Sequence, residues 1–300
     1  MGKRKAAADG SMNPPSKAKK DVDMDESDSD DASLLNVDFE YFDPQPATDF
    51  HGLKTLLRQL LDIDNPLFDL SALADLILSQ PTLGSTVKCD GNESDPYAFL
   101  TVLNLHQHRN VPVIAQLTAY LTAKAATGGL GQLQTLLAAA SEAQVGLILT
   151  ERFINMPHAT VPPMYGMLLE EIQWALADSE PYAFTHYLVL SKTYVEVESA
   201  LDAENGVEDD RPQKKSKASK AKQAAAEAET FYFHPEDEVL HRHALAHGSF
   251  DYTTPRDEGA SDAKRAFQDL GVKTRGHLVL IEAAKFEGAV KGVAEYLGGE

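Results

Sequence analysis

The run 145-VGLILTERFINMPHATVPPMYGMLLEEI-172 carries a strand, a charged strand end, a proline-punctuated turn and a helix. Val145, Leu147, Ile148 and Leu149 form an apolar segment too short for a helix and rich in β-formers, which predicts an interior strand. Glu151 and Arg152 end it. Pro157, Pro162 and Pro163 hold off a helix until the turn is complete. Met164, Leu168, Ile172 and Leu176, with Met167 and Glu171 between them, then recur at helical spacing. The reading is strand, loop, helix.

Upstream, 36–42 alternates Val37, Phe39 and Tyr41 against Asp38 and Glu40, a half-exposed strand that starts the folded body. Phe50, Leu53, Leu57, Leu60 and Leu61 make one helical face, and Leu70, Leu73, Ala74 and Ile77 another, parted by Asn65-Pro66. Strands at 84–90 and 97–105 flank the turn-prone 90-DGNESDP-96, which predicts a hairpin. Helices follow at 113–124 and 130–140, broken at Gly128-Gly129. Downstream, 186–197 is strongly β-prone, Phe231 to Phe233 resumes the fold, 277–283 is a last strand and 286–297 a closing helix. Hairpins mixed with crossovers indicate an α/β or α+β three-layer domain.

Composition sets the boundaries. Residues 1–33 hold six Lys or Arg and eight Asp or Glu with almost no large apolar side chain, and 199–229 is similar. Both are expected to be disordered, leaving one domain in two pieces, 34–198 and 230–300. The net charge is −19, and outside the two polar stretches 31 acids face 15 Lys and Arg. The acidity therefore belongs to the body. That argues against direct nucleic-acid binding, whose affinity comes largely from cations displacing counterions, and favours a basic partner. Cys89 is the only cysteine, so neither an internal disulfide nor a Cys-based zinc site is possible, and a reducing compartment fits. No apolar run approaches the roughly 18 residues of a membrane span, so no membrane partner is expected. A monomer is expected.

Lys3, Arg4 and Lys5, then Lys17, Lys19 and Lys20, have the spacing of a bipartite nuclear localisation signal for an import receptor. Asp21 to Asp31 adds seven acids in eleven positions, either a tether for a basic partner or a solubilising tail. A second basic cluster, Arg211 to Lys222, lies in the linker.

The central run resembles the most characteristic segment of the BCCIP family, eukaryotic nuclear proteins linked to ribosome assembly: Glu151, Arg152, Phe153, Asn155, Pro157, Pro163, Met164 and Tyr165 carry the likeness. NVDFEYF at 36–42, DFHGLKTLLRQLL at 49–61, YLVLSKTYVEV at 187–197 and FYFHPEDEVL at 231–240 add to it in the family's order. The resemblance implies a fold like that of the GCN5-related N-acetyltransferases and a non-enzymatic nuclear chaperone or escort. It further implies a basic large-subunit ribosomal protein as client, of the universal large-subunit protein fourteen type, and nuclear export through transport receptors.

The rival readings are an N-acetyltransferase-like enzyme and a nuclear transport adaptor. No cofactor is expected: the coenzyme A loop, Gln/Arg-x-x-Gly-x-Gly/Ala, is missing, with near misses at 256-RDEGAS-261 and 268-QDLGVK-273. Gly128-Gly129-Leu130-Gly131 follows a helix and lacks dinucleotide spacing. His243 and His247 lie four apart, on one helical face if that segment is helical. Without the glutamate of H-E-x-x-H, and with Gly248 reading as a helix end, no metal is expected there. Glu151 and Arg152 read as a structural ion pair anchoring the next loop rather than a catalytic pair, and Trp174 as packing.

Overall fold

The computed structural model describes residues 38–138, 140–196, 229–254 and 271–298. The basic and acidic tail and the charged linker lie outside these residues, apart from Glu229, as do the first near-miss loop and the start of the second. The first half of the body comprises β1 (Glu40–Phe42), α1 (Pro46–Leu61), α2 (Leu70–Leu78), β2 (Ser85–Lys88), β3 (Ala98–Asn104), α3 (Pro112–Thr127) and α4 (Gly131–Leu136). The predicted unit follows as β4 (Val145–Arg152) and α5 (Val161–Ala177), and then β5 (His186–Glu196). The remainder is β6 (Thr230–Tyr232), α6 (Glu236–His243), β7 (Ala246–Phe250), β8 (Val272–Glu282) and α7 (Ala283–Leu297).

The strands form one mixed sheet in the order β1-β2-β3-β4-β5-β8-β7, with β6 also on β5. Every pair is antiparallel except β4 with β5. A parallel pair needs a crossover, and α5 supplies it. Leu147 and Leu149 of β4 face a core under α1 to α4, while Ile148 faces a second core under α5 to α7. Helices thus cover both faces of the sheet, which is why β4 reads as an unbroken apolar run.

Helix starts follow local chemistry. Asp69 caps α2 by accepting from the N–H groups of Ser71 and Ala72, each at 3.0 Å. Helix α5 begins at Val161, so Pro162 and Pro163 belong to its first turn instead of preceding the helix; there the absent N–H groups lose no intrahelical bond. Its buried face ends at Ala175, and Leu176 is partly exposed. Other differences have similar causes. Helix α4 stops at Leu136, short of the expected 140. Strand β8 starts at Val272, well before His277, because its polar first half is held by pairing to β5 rather than by burial.

The parallel pairing ends at Leu149 and Leu190. Beyond it β4 stays on β3, whose Ala98 and Phe99 pair with Arg152 and Glu151, while β5 takes β6 as its neighbour through Thr193 to Val195. The two strands therefore part, and a wedge opens at their C-terminal ends.

Candidate functional site

Side chains of both signs converge on that wedge. On the α1 side Lys192 Nζ meets Glu151 Oε2 at 2.5 Å and donates to the Gln59 carbonyl at 3.1 Å. On the other side Arg152 grips Glu236 with both terminal nitrogens, at 2.5 and 3.0 Å. His234, on the segment between β6 and α6, bridges the two halves: Nε2 is 3.4 Å from Glu151 and Nδ1 is 3.7 Å from Glu236. Ser191 Oγ donates to Asp237 Oδ2 at 2.6 Å. All seven groups are buried. Charges so far from water persist only when paired, and here nearly every one has a partner. Glu236 and Asp237 also open α6, where the helix dipole favours anions.

Burial alone would push the Glu151 carboxyl up, but Lys192 and His234 outweigh it and hold it down at about 2. Burial would lower His234, and Glu151 reverses that, so its imidazole titrates above the usual value. Among the described residues no cation pairs directly with Asp237, and burial drives it up to about 7. The wedge opens outward as a cleft of about 410 Å³ lined by Gln59, Phe153, Asn155, His158 and Phe233 around these charges. A larger cleft of about 520 Å³ is lined mainly by apolar residues such as Leu105, Leu136 and Val145, with Arg109 the one Lys, Arg, Asp or Glu among its described residues.

The family segment divides here. Glu151, Arg152, Phe153 and Asn155 line the cleft; Met164 and Tyr165 lie in the second core; Pro157 and Pro163 are exposed. Glu151 and Arg152 do not form the expected pair with each other, because adjacent strand residues point to opposite faces; each binds a partner from elsewhere. Lys192, His234, Glu236 and Asp237 join the site without any site motif of their own. Lys192 had a local signal, a lone cation inside the β-prone run LVLSKTYVEV. The nuclear localisation residues Lys3 to Lys20 lie outside the described residues.

Two further expectations are corrected. Trp174 is 59% exposed, not packed. His243 and His247 share no helix: α6 ends at His243, whose ring lies against Gly288 and Gly292 of α7, and His247 is in β7. Gly248 is not a helix end but a close contact, since a Cβ there would sit 1.9 Å from the Gly128 carbonyl oxygen. In place of that pair, His241, His247 and His277 gather with ligand atoms within 4.8 Å of one another. Burial pushes His241 down to about 4 and His277 to about 3.

An open mixed sheet covered on both faces, with a buried ionic network where its parallel strands part, defines a mixed α/β single-domain protein. Within that class the chain belongs to the BCCIP family, whose model matches residues 34–240. It is 58% identical to Protein bcp1 of Aspergillus fumigatus over 298 residues, 99% of each chain. It is 51% identical to Protein bcp1 of Schizosaccharomyces pombe over 88% of this chain and 91% of that one. The crystal structure of BCP1 from Saccharomyces cerevisiae superposes with a TM-score of 0.59 at 26% identity, covering 91% of this chain and 93% of that one. None of these names denotes an enzyme.

Proposed function

We propose that this protein is a non-enzymatic nuclear escort that shields a basic large-subunit ribosomal protein during ribosome biogenesis and accompanies it through nuclear transport. The observation that carries this reading is the sign of the surface. Among the described residues, once seven buried acids and three buried Lys and Arg are set aside, 19 acidic side chains face nine Lys and Arg. Four of those nine cations are themselves paired: Lys273 and Arg275 with Asp251, Lys285 with Glu282 and Lys291 with Glu287. Strand β1 and the β2–β3 turn also gather Asp38, Glu40, Asp90, Glu93 and Asp95 along one sheet edge. A face of that kind attracts the Lys- and Arg-rich surface with which a ribosomal protein holds RNA. Ile154, 86% exposed at the mouth of the wedge cleft, and Trp174 offer apolar anchors that charge alone does not provide.

The internally paired wedge favours this reading over the transferase. Its charges are matched to one another, and the helix after β4 opens Val161-Pro162-Pro163, so two N–H groups that would hold a pyrophosphate are missing from α5. The transport-adaptor reading differs in needing a receptor and cargo bound together.

The test is binding of the purified chain to a recombinant basic large-subunit ribosomal protein. Affinity and on-rate should fall as salt rises, since the screening length shrinks from about 8 Å at physiological ionic strength to about 3 Å at 1 M. Reversing Glu40, Asp90, Glu93 and Asp95 together should weaken binding more than deleting residues 1–33. Binding indifferent to salt and to the body's acids would overturn the mechanism, and saturable coenzyme A binding would revive the enzyme.

A further inference from the structure

We propose that His241, His247 and His277 form a binding site for a divalent transition-metal ion of the zinc class. Three different elements deliver the imidazoles. Strands β7 and β8 are neighbours with His247 opposite Val279 and Ser249 opposite His277, so His247 and His277 stand diagonally on one face, the face that α6 covers with His241.

The contacts among them point one nitrogen of His241 and one of His277 at each other and stack His247 on His241. His241 Nε2 and His277 Nε2 are 2.8 Å apart, and the rings of His241 and His247 stack with centroids 3.8 Å apart. His277 is oriented from behind: its Nδ1 is 2.9 Å from Ser249 Oγ, which in turn is 3.0 Å from Thr193 Oγ1. A hydrogen bond on the far nitrogen is the support that metal-ligating histidines usually have, and it assigns Nε2 as the donor atom.

Two nitrogens on one tetrahedral zinc, each at about 2.0–2.1 Å, stand about 3.3 Å apart. An ion would therefore replace the proton shared by His241 and His277 and spread their Nε2 atoms by about half an ångström. His247 is exposed on an edge strand and free to turn its ring toward the same point. Three imidazoles without a carboxylate suit zinc, cobalt, nickel or copper and not calcium or magnesium, which want oxygen. Arg275, two residues along β8, is held by Asp251 at 3.3 Å, which offsets its charge. Solvent would complete the fourth position. The ion would fasten α6 to β7 and β8, and so hold the segment whose His234 and Glu236 fill the wedge.

The experiment uses the full chain, untagged and stripped with chelator, titrated with Co²⁺ alone and then Zn²⁺. One equivalent of Co²⁺ should give the intense visible bands of a four-coordinate ion, and Zn²⁺ should displace it. His247→Ala and His241→Ala should each weaken the affinity more than about 10-fold, while His243→Ala, on the α7 side, should leave it unchanged. Because His247 is exposed, its variant keeps the metal-free fold, which an unchanged metal-free melting curve checks. A weak octahedral spectrum, or affinity unmoved in both His241→Ala and His247→Ala, would overturn the site and leave three hydrogen-bonded and stacked imidazoles.

Discussion

Arg152 sits 6% exposed with its guanidinium on Glu236, 84 positions along the chain. Removing one partner of a buried pair strands the other, so Arg152→Met should cost about 3–5 kcal/mol in a denaturant melt. Replacing both, as Arg152→Met with Glu236→Met, should restore much of that loss, and a cycle showing simple additivity would mean the two do not interact. Asp237 makes a separate prediction. Its folded value of about 7 against an ordinary 3.8 means that the folded chain keeps a proton which the unfolded chain gives up. The stability this supplies is complete below about pH 4 and drains as pH climbs through about 7. His234, also raised, slopes the same way, whereas Glu151 and Glu236, both lowered, matter only as pH falls below the usual glutamate value. At about 1.4 kcal/mol for each tenfold in proton affinity, Asp237 alone should contribute a loss of about 2–4 kcal/mol between pH 5 and pH 8, opposed below about pH 6.5 by His241 and His277, whose lowered values make the fold gain stability as pH rises. In urea melts at the two pH values, Asp237→Asn should remove that contribution, so the parent falls relative to the variant by about 2–4 kcal/mol from pH 5 to pH 8; an unchanged difference between them would assign no such role to Asp237.

Elements built on local periodicity were legible. The β4–α5 unit, α1, α2 and the β2–β3 hairpin each carry their own apolar pattern, and each stands where the pattern puts it within a few residues. Strand β7 was not legible. Its sequence AHGSF has one fully buried side chain, Phe250, and it is a strand because β8 pairs with it. Helix α6 buries two apolar residues, Val239 and Leu240, and likewise depends on its packing against α7. The site followed the same division. Glu151 and Arg152 announced themselves at the end of an apolar run, but their partners lie 41 and 84 positions away, and no local spacing encodes such a meeting. Gly248 shows how tightly β7 is seated, since any Cβ must displace the Gly128 carbonyl at the end of α3. Gly248→Ala should therefore lower stability by about 1–3 kcal/mol, as overpacking does, in thermal melts. A variant as stable as the parent would show that β7 is loosely held.

At the scale of the molecule, β5 is the hinge of the design: β4 and β6 share one of its edges and β8 takes all of the other. The segment after the charged stretch is thus woven into the sheet rather than appended to it. A protease site placed within 212–218 should, once cut, leave two fragments that elute together and separate only under denaturant; fragments that part in buffer would refute the single-domain organisation. The same weave has a consequence for synthesis. When Glu196 is made, eleven residues of β5 have an open backbone edge, and the strand that closes it begins 76 positions later at Val272 and ends at Glu282. At about 5–20 residues per second, the ribosome leaves that edge unpaired for roughly 4–17 seconds. During that interval the nascent chain presents an unpaired apolar strand edge, of the kind that invites pairing with another chain until β8 closes it.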